Sequence, residues 1–241
     1  EQHLSTESIE NQQIVARDIH LVPDAGVWLR GAVRYKDRLG FIPGMTVSVV
    51  NLTSFNSEST TTGEGGDFSF RMQANEEFEV LFEKQGYFSM SVPVSTVGIR
   101  QGVIDLNQAR ELSFEPIELG KPVRLKFVKW SDPKGTALEP NAKTELDGLA
   151  ERLKVNPALV VELGVHSDSQ GEADAQQRLT QKRAQVIMDL LISKGIPKDR
   201  IMAKGYGGAR LLNHCAPGVQ CTEQEHAENR RVEYTVLEVR Q

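Results

Sequence analysis

The sequence predicts two domains in tandem: a β-sandwich followed by an α/β layer sandwich with the element order β-α-β-α-β-β. Three observations lead there. Apolar residues recur with period two as far as about Val94, the signature of half-buried strands. From Pro122 the pattern changes to strand-length apolar runs alternating with stretches of helical period. The 241 residues are enough for two cores, at roughly 100–200 residues per domain.

Residues 1–25 are polar and without period, and read as a connector. Order is expected from near Trp28, with a β-sandwich over residues 26–100. Its strands are read at Thr46 to Val50, Phe68-Ser69-Phe70 and Phe78 to Phe82. Pro43-Gly44 and Gly63-Glu64-Gly65-Gly66-Asp67 supply turn chemistry between them. The run from Val94 to Glu118 fits neither period, so residues 101–118 read as a linker, with the second domain over residues 119–241.

In that second domain Val123 to Trp130 is read as the first strand. Glu139 to Val155 follows as a helix, with Pro140 suited to its first turn and Ala142, Leu146, Leu149 and Leu153 on one face; Asn156-Pro157 ends it. Leu159 to Val165 is the second strand. A long amphipathic helix carries Leu179, Val186, Ile187, Leu190 and Leu191 and stops at Gly195, where a left-handed cap is wanted. Arg200 to Lys204 and Arg231 to Val239 complete the strands, and Gly205-Tyr206-Gly207-Gly208-Ala209-Arg210 reads as a tight turn.

Composition excludes several classes. With 28 Lys+Arg against 33 Asp+Glu the net charge is −5, which gives no general attraction to nucleic acid. No apolar window of about 18 residues is present, so no bilayer-spanning helix is expected. A chain beginning at Glu1 fits a processed product or a piece of a longer protein. Cys215 and Cys221 sit in a short Pro/Gly-containing stretch, where the spacing permits a disulfide-closed loop; two free thiols are the alternative. His214, Cys215, Cys221 and His226 match no familiar zinc spacing, so no metal or other cofactor is expected. The motifs of zincins, serine hydrolases, P-loop enzymes and dithiol oxidoreductases are absent, and no enzyme activity is expected.

The informative residues are Gly164-Val165-His166-Ser167-Asp168-Ser169-Gln170-Gly171, Leu179-Thr180-Gln181-Lys182-Arg183-Ala184, Gly195 to Ile201, Lys204 to Gly207 and Glu225 to Glu233. In this order and spacing they resemble the OmpA-like C-terminal peptidoglycan-binding domain, from Val123 to the C-terminus. The resemblance implies a site for the diaminopimelate side chain of the peptidoglycan stem peptide. Asp168 and, fifteen positions later, Arg183 match the gripping pair; Arg230 matches a further contact, with Asn229 as a loop brace. The chemistry suits a zwitterion, whose ammonium needs an anion and whose carboxylate needs a planar cation.

Some positions depart from the family pattern. The loop after the first strand reads Lys129-Trp130-Ser131-Asp132, so Ser131 or Asp132 would replace the usual acidic or amide contact. Ser167 and Gln176 stand where the family has Thr and Asn, keeping hydrogen-bonding capacity with altered reach. His166 reads as a structural residue, since no nucleophile accompanies it.

In the first domain Leu29 to Val33, Pro43 to Val47, Gly66 to Phe70 and Lys84 to Phe88 resemble the carboxypeptidase-regulatory, transthyretin-like fold, which implies a spacer or docking module without catalysis. The domain pair is similar to an outer-membrane-associated component of the Bacteroidota type IX secretion machinery. Together these resemblances imply a non-catalytic periplasmic anchor, outer-membrane associated, whose partners are the stem peptide and other envelope or secretion-complex proteins. A protein-interaction module without wall binding is the alternative, and a wall-acting enzyme the third class.

Overall fold

The computed structural model describes residues 26–240; the connector expected at 1–25 lies outside them. The N-terminal part holds β1 (Val27–Ala32), β2 (Arg34–Tyr35), β3 (Thr46–Asn51), β4 (Ser57–Thr61), β5 (Asp67–Met72), β6 (Glu77–Glu83), β7 (Met90–Ser95), β8 (Gly102–Asp105), a short α1 (Leu106–Ala109) and β9 (Ser113–Phe114). The C-terminal part holds β10 (Pro122–Leu125), α2 (Pro140–Val155), β11 (Leu159–His166), α3 (Ala173–Ser193), a 3-10 turn (Lys198–Arg200), β12 (Ile201–Gly207), α4 (Glu223–Asn229) and β13 (Arg231–Val239).

In the N-terminal part, sheets β5-β1-β8 and β4-β3-β6-β7 contribute to one core. Strict alternation explains why: Phe68, Phe70 and Met72 point inward from β5, and Phe78, Val80 and Phe82 from β6, while their neighbours face solvent or lie half-buried. Phe82 meets Phe68 edge to face at 5.4 Å between centroids and Phe114 at 5.6 Å.

Residues 101–118 are therefore not a plain linker. β8 pairs in parallel with β1, β9 pairs with β2, and Leu106, Leu112 and Phe114 are buried in the N-terminal core. Only isolated apolar side chains mark this segment, too few for a period. The first strand of the second domain is also shorter than Val123 to Trp130. It ends at Leu125, where the Lys126 and Phe127 amides donate to the Glu145 carboxylate of α2 instead of to a neighbouring strand.

The C-terminal sheet runs β10-β13-β11-β12, with β11 and β12 parallel and the other pairs antiparallel. α2 and α3 bury Leu146, Leu149, Leu153, Ile187 and Leu191 in the same core as Val161, Leu163 and Val165. The expected β-α-β-α-β-β order gains a helix, α4, between the last two strands. The turn expected over Gly205 to Arg210 starts later: Gly205 to Gly207 belong to β12, and the turn closes with Ala209 N donating to Tyr206 O at 3.1 Å.

β12 is one of the two edge strands, and α3 covers it. Gln177 Nε2 donates to Gly205 O at 2.7 Å and Gln181 Nε2 to Ala203 O at 3.1 Å. In return Gly205 N donates to Gln181 Oε1 and Gly207 N to Thr180 Oγ1, both at 2.9 Å. This closeness requires glycine, because a Cβ on Gly205 would overlap the α3 backbone at Thr180 and Gln181.

The two parts meet along a seam. Phe88 and Ile117 pack on the C-terminal core. Ser89 N donates to Asn156 Oδ1 at 2.8 Å, and Asn156 Nδ2 donates back to Ser89 O at 3.2 Å. Glu115 accepts from Arg152 at 2.5 Å and from Lys36 at 3.0 Å.

Substituting Gly205→Ala is expected to lower unfolding free energy by about 1–3 kcal/mol or more, since backbone rather than a flexible side chain must move. Urea unfolding followed by circular dichroism measures it; an unchanged midpoint would mean the α3–β12 contact is loose.

Candidate functional site

The candidate residues fall in two groups: the β11–α3 loop meets the segment before β13 through Asp168 and Arg230, and α3 meets the loop preceding α2 through Arg183. Asp168 follows β11 and is only 4% exposed. Its Oδ1 accepts the Gln170 amide at 3.0 Å, closing a tight loop, and its other oxygen is paired with Arg230 Nη1. Gly208 lies directly against this loop: a Cβ there would overlap the Asp168 carbonyl. Arg230 also pairs through Nη2 with Glu223. Burial pulls the Arg230 pKa down, but its hydrogen bonds to Asp168 and Glu223 outweigh that and raise it above the ordinary value. It is a fixed cation between two carboxylates.

Arg183 stands elsewhere in the network. It projects from α3, is 8% exposed, and donates from Nε to Gly135 O and from Nη2 to Asp132 O and Pro133 O, each at 2.9 Å. Its guanidinium lies 4.8 Å from the Trp130 ring centroid. Desolvation lowers its pKa below the ordinary arginine value. Nη1 donates no hydrogen bond among the described residues. The structure thus brings Asp168 together with Arg230, and Arg183 together with the loop that carries Ser131 and Asp132.

Ser131 spends its hydroxyl and amide on Ala137 O, at 3.1 and 2.9 Å, and Asp132 Oδ1 accepts the Lys134 amide at 2.9 Å. Both shape the loop that Arg183 holds. Ser167 N donates to Gly207 O at 2.7 Å. Asn229 is fully buried: Oδ1 accepts the Leu212 amide at 2.7 Å, and Nδ2 donates to Asn213 Oδ1 at 2.7 Å. Through these bonds it ties the end of α4 to the loop after β12. Gln176 Oε1 is buried with no hydrogen-bond partner among the described residues.

Sequence reading missed Glu223, Trp130 and Asn213. The first had a visible signal: Thr222 and Glu225 form a capping box that starts α4, and Glu223 lies two turns before Arg230. Cys215 and Cys221 have their sulfurs at bonding distance, 2.08 Å, with Cα atoms 5.9 Å apart. Of the four residues weighed as zinc ligands, His214 lies with this pair, but sulfurs bonded to each other are not thiolate ligands.

His166 ends β11, buried. Its ring stacks on Tyr206 at 4.8 Å, and Nε2 lies 3.2 Å from Glu233 Oε2. Tyr206 donates to Glu162 Oε1 at 2.5 Å, and Arg210 covers its other face at 3.8 Å. Desolvation and the nearby Arg231 hold the His166 pKa down at about 4, against the opposing pull of Glu233.

Residues 132–225 match the OmpA family. Asp168 and Arg183 lie inside that match; Arg230 lies just beyond it. The chain is 36% identical over 101 residues to outer membrane porin F of Pseudomonas fluorescens, covering 42% of this chain and 29% of that protein. It is 32% identical over 85 residues to the peptidoglycan-associated lipoprotein of Legionella pneumophila, covering 35% of this chain and 46% of that one. The crystal structure of the peptidoglycan-associated lipoprotein from Burkholderia pseudomallei aligns with a TM-score of 0.39 at 19% identity, over 48% of this chain and 88% of that one. The C-terminal domain is thus OmpA-like, and the chain spans less than half the length of the curated relatives it matches.

Two outcomes are expected. Because the folded His166 pKa lies below the unfolded value of 6.5, its contribution to stability is full above about pH 6.5 and is lost as pH falls toward about 4. Thermal melts across that window should show the decline for the wild type and a flatter profile for His166→Gln; parallel profiles would exclude it. Mass spectrometry after alkylation without reductant should leave both cysteines unmodified. The Cys215→Ser/Cys221→Ser pair should cost roughly 2 kcal/mol, the loop-closure entropy of so short a ring.

Proposed function

We propose that the C-terminal domain is a non-catalytic peptidoglycan-binding module that anchors an envelope protein to the cell wall in the periplasm, and that its ligand is the diaminopimelate end of the stem peptide. One observation carries the reading: a buried carboxylate, Asp168, held in place by Gln170 and Arg230 at the end of the sheet. Its two oxygens offer about four acceptor positions, so an ammonium can join the two donors already there. The unspent Nη1 of Arg183 suits a ligand carboxylate, and the orphaned Gln176 Oε1 suits a ligand N–H. The names of the relatives agree with this class, one of them being a peptidoglycan-associated lipoprotein.

The N-terminal sheets are proposed to act as a docking module of carboxypeptidase-regulatory, transthyretin-like type. In its domain order the chain resembles the C-terminal part of PorE of the Bacteroidota type IX secretion system, which would place its partners in an outer-membrane-associated secretion complex. A second reading is favoured by the engagement of Arg183 with loop carbonyls: an envelope interaction module that does not bind the wall.

Isothermal titration with a diaminopimelate-containing stem peptide tests the first reading. Asp168→Ala, Arg183→Ala and Arg230→Ala should each lower affinity about ten- to a hundredfold, the worth of one charge-assisted contact. A lysine-containing stem peptide, lacking the side-chain carboxylate, should bind more weakly. Equal heats for all variants, or failure of the chain to sediment with purified sacculi, would favour the second reading.

A further inference from the structure

The N-terminal part has a cleft of about 720 Å³ that the wall-binding reading does not use. It lies between the turn after β2 and the segment joining α1 to β9, and is lined among others by Arg34, Tyr35, Arg38, Leu39, Phe41 and Arg110. Its volume falls within the roughly 300–1,000 Å³ typical of ligand sites.

Its charge opposes that of the chain. The whole protein carries −5, yet the charged residues of the cleft are three arginines and Glu111. Six arginines, Arg30, Arg152, Arg178, Arg230, Arg231 and Arg240, have carboxylate partners, while Arg100, Arg124, Arg183, Arg200 and Arg210 have none among the described residues. Arg34, Arg38 and Arg110 have no ion pair among the described residues.

Two of these guanidinium groups are held by rings. Arg34 lies 5.0 Å from the Phe41 centroid and Arg38 3.8 Å from that of Tyr35. Stacking fixes the plane of a guanidinium by its face and leaves edge N–H groups for a carboxylate, which they grip in pairs. Beside them Leu39 is 100% exposed and Phe41, under Arg34, is 39% exposed. Three separate cations exceed what one carboxylate can satisfy, and the apolar pair asks for side chains that a bare anion lacks.

We propose that this cleft binds an acidic segment of a partner protein, one that alternates carboxylates with apolar or aromatic side chains. Arg34, Arg38 and Arg110 read its charges, and Leu39 and Phe41 receive its apolar residues. The site is separate from the one around Asp168.

Fluorescence anisotropy of the full chain with a fluorescein-labelled peptide, Glu-Leu-Asp-Phe-Glu, tests it. The peptide should bind and weaken with added salt; the double variant Arg34→Glu/Arg110→Glu should lower affinity at least about tenfold, with Asp168→Ala unchanged. The milder Arg34→Gln/Arg110→Gln keeps the test available if charge reversal disturbs folding, which circular dichroism checks. No binding up to about 1 mM, equal binding of Lys-Leu-Lys-Phe-Lys, or an affinity that neither double variant changes would overturn the proposal. Displacement by inorganic phosphate as effective as by unlabelled peptide would assign the cleft to a small anion and also overturn it.

Discussion

Buried guanidinium groups serving as donors to stranded carbonyls are the constraint on which the C-terminal domain depends. Arg200 is the clearest case. Buried at the start of β12, it donates to Leu159 O at 2.9 Å, Leu153 O at 2.8 Å and Asn156 O at 2.7 Å. Those carbonyls belong to the end of α2 and the first residue of β11, where helix and strand bonding both run out. A buried carbonyl without a partner costs about 1–3 kcal/mol, and only arginine offers five donors on one rigid plane. Arg231 repeats the device on Arg210 O and Asn229 O. Arg183 repeats it on the loop before α2. The chain turns sharply at these places because a cation is available to collect the carbonyls the turns leave behind.

The candidate site adjoins this network: Asp168 and Arg183 are buried, and Arg230 is partly exposed. Arg231 fixes the segment next to Arg230, and Asn229 fixes the other side, so Arg230 is presented to Asp168 by two buried neighbours. Asp168 is in turn confined by Gln170 and by the backbone at Gly208. Little freedom remains in either partner of this ion pair.

The sequence was most legible where burial alternates. β3, β5 and β6 stand within a residue or two of their expected limits because Val and Phe point inward at every second position. β4 was invisible for the opposite reason: Ser57 to Thr61 lies on an edge, is largely exposed, and is a strand only through its pairing with β3. Residues 101–118 contribute single apolar side chains to a distant core, which no local period can report. At the site, Asp168 and Arg230 were each legible as candidate residues. That they would pair with one another across 62 positions was not, since pairing is decided by where two loops end. The partners of Arg183 are carbonyls, and every residue has one, so no spelling of the loop could have named them.

The glutamines of α3 carry a last consequence. Gln177 and Gln181 stand in for the neighbouring strand that β12 lacks, spending backbone groups that an open edge would offer to another molecule. The helix therefore closes the β12 edge of the sheet to a further strand, whereas β10 stands at the opposite edge.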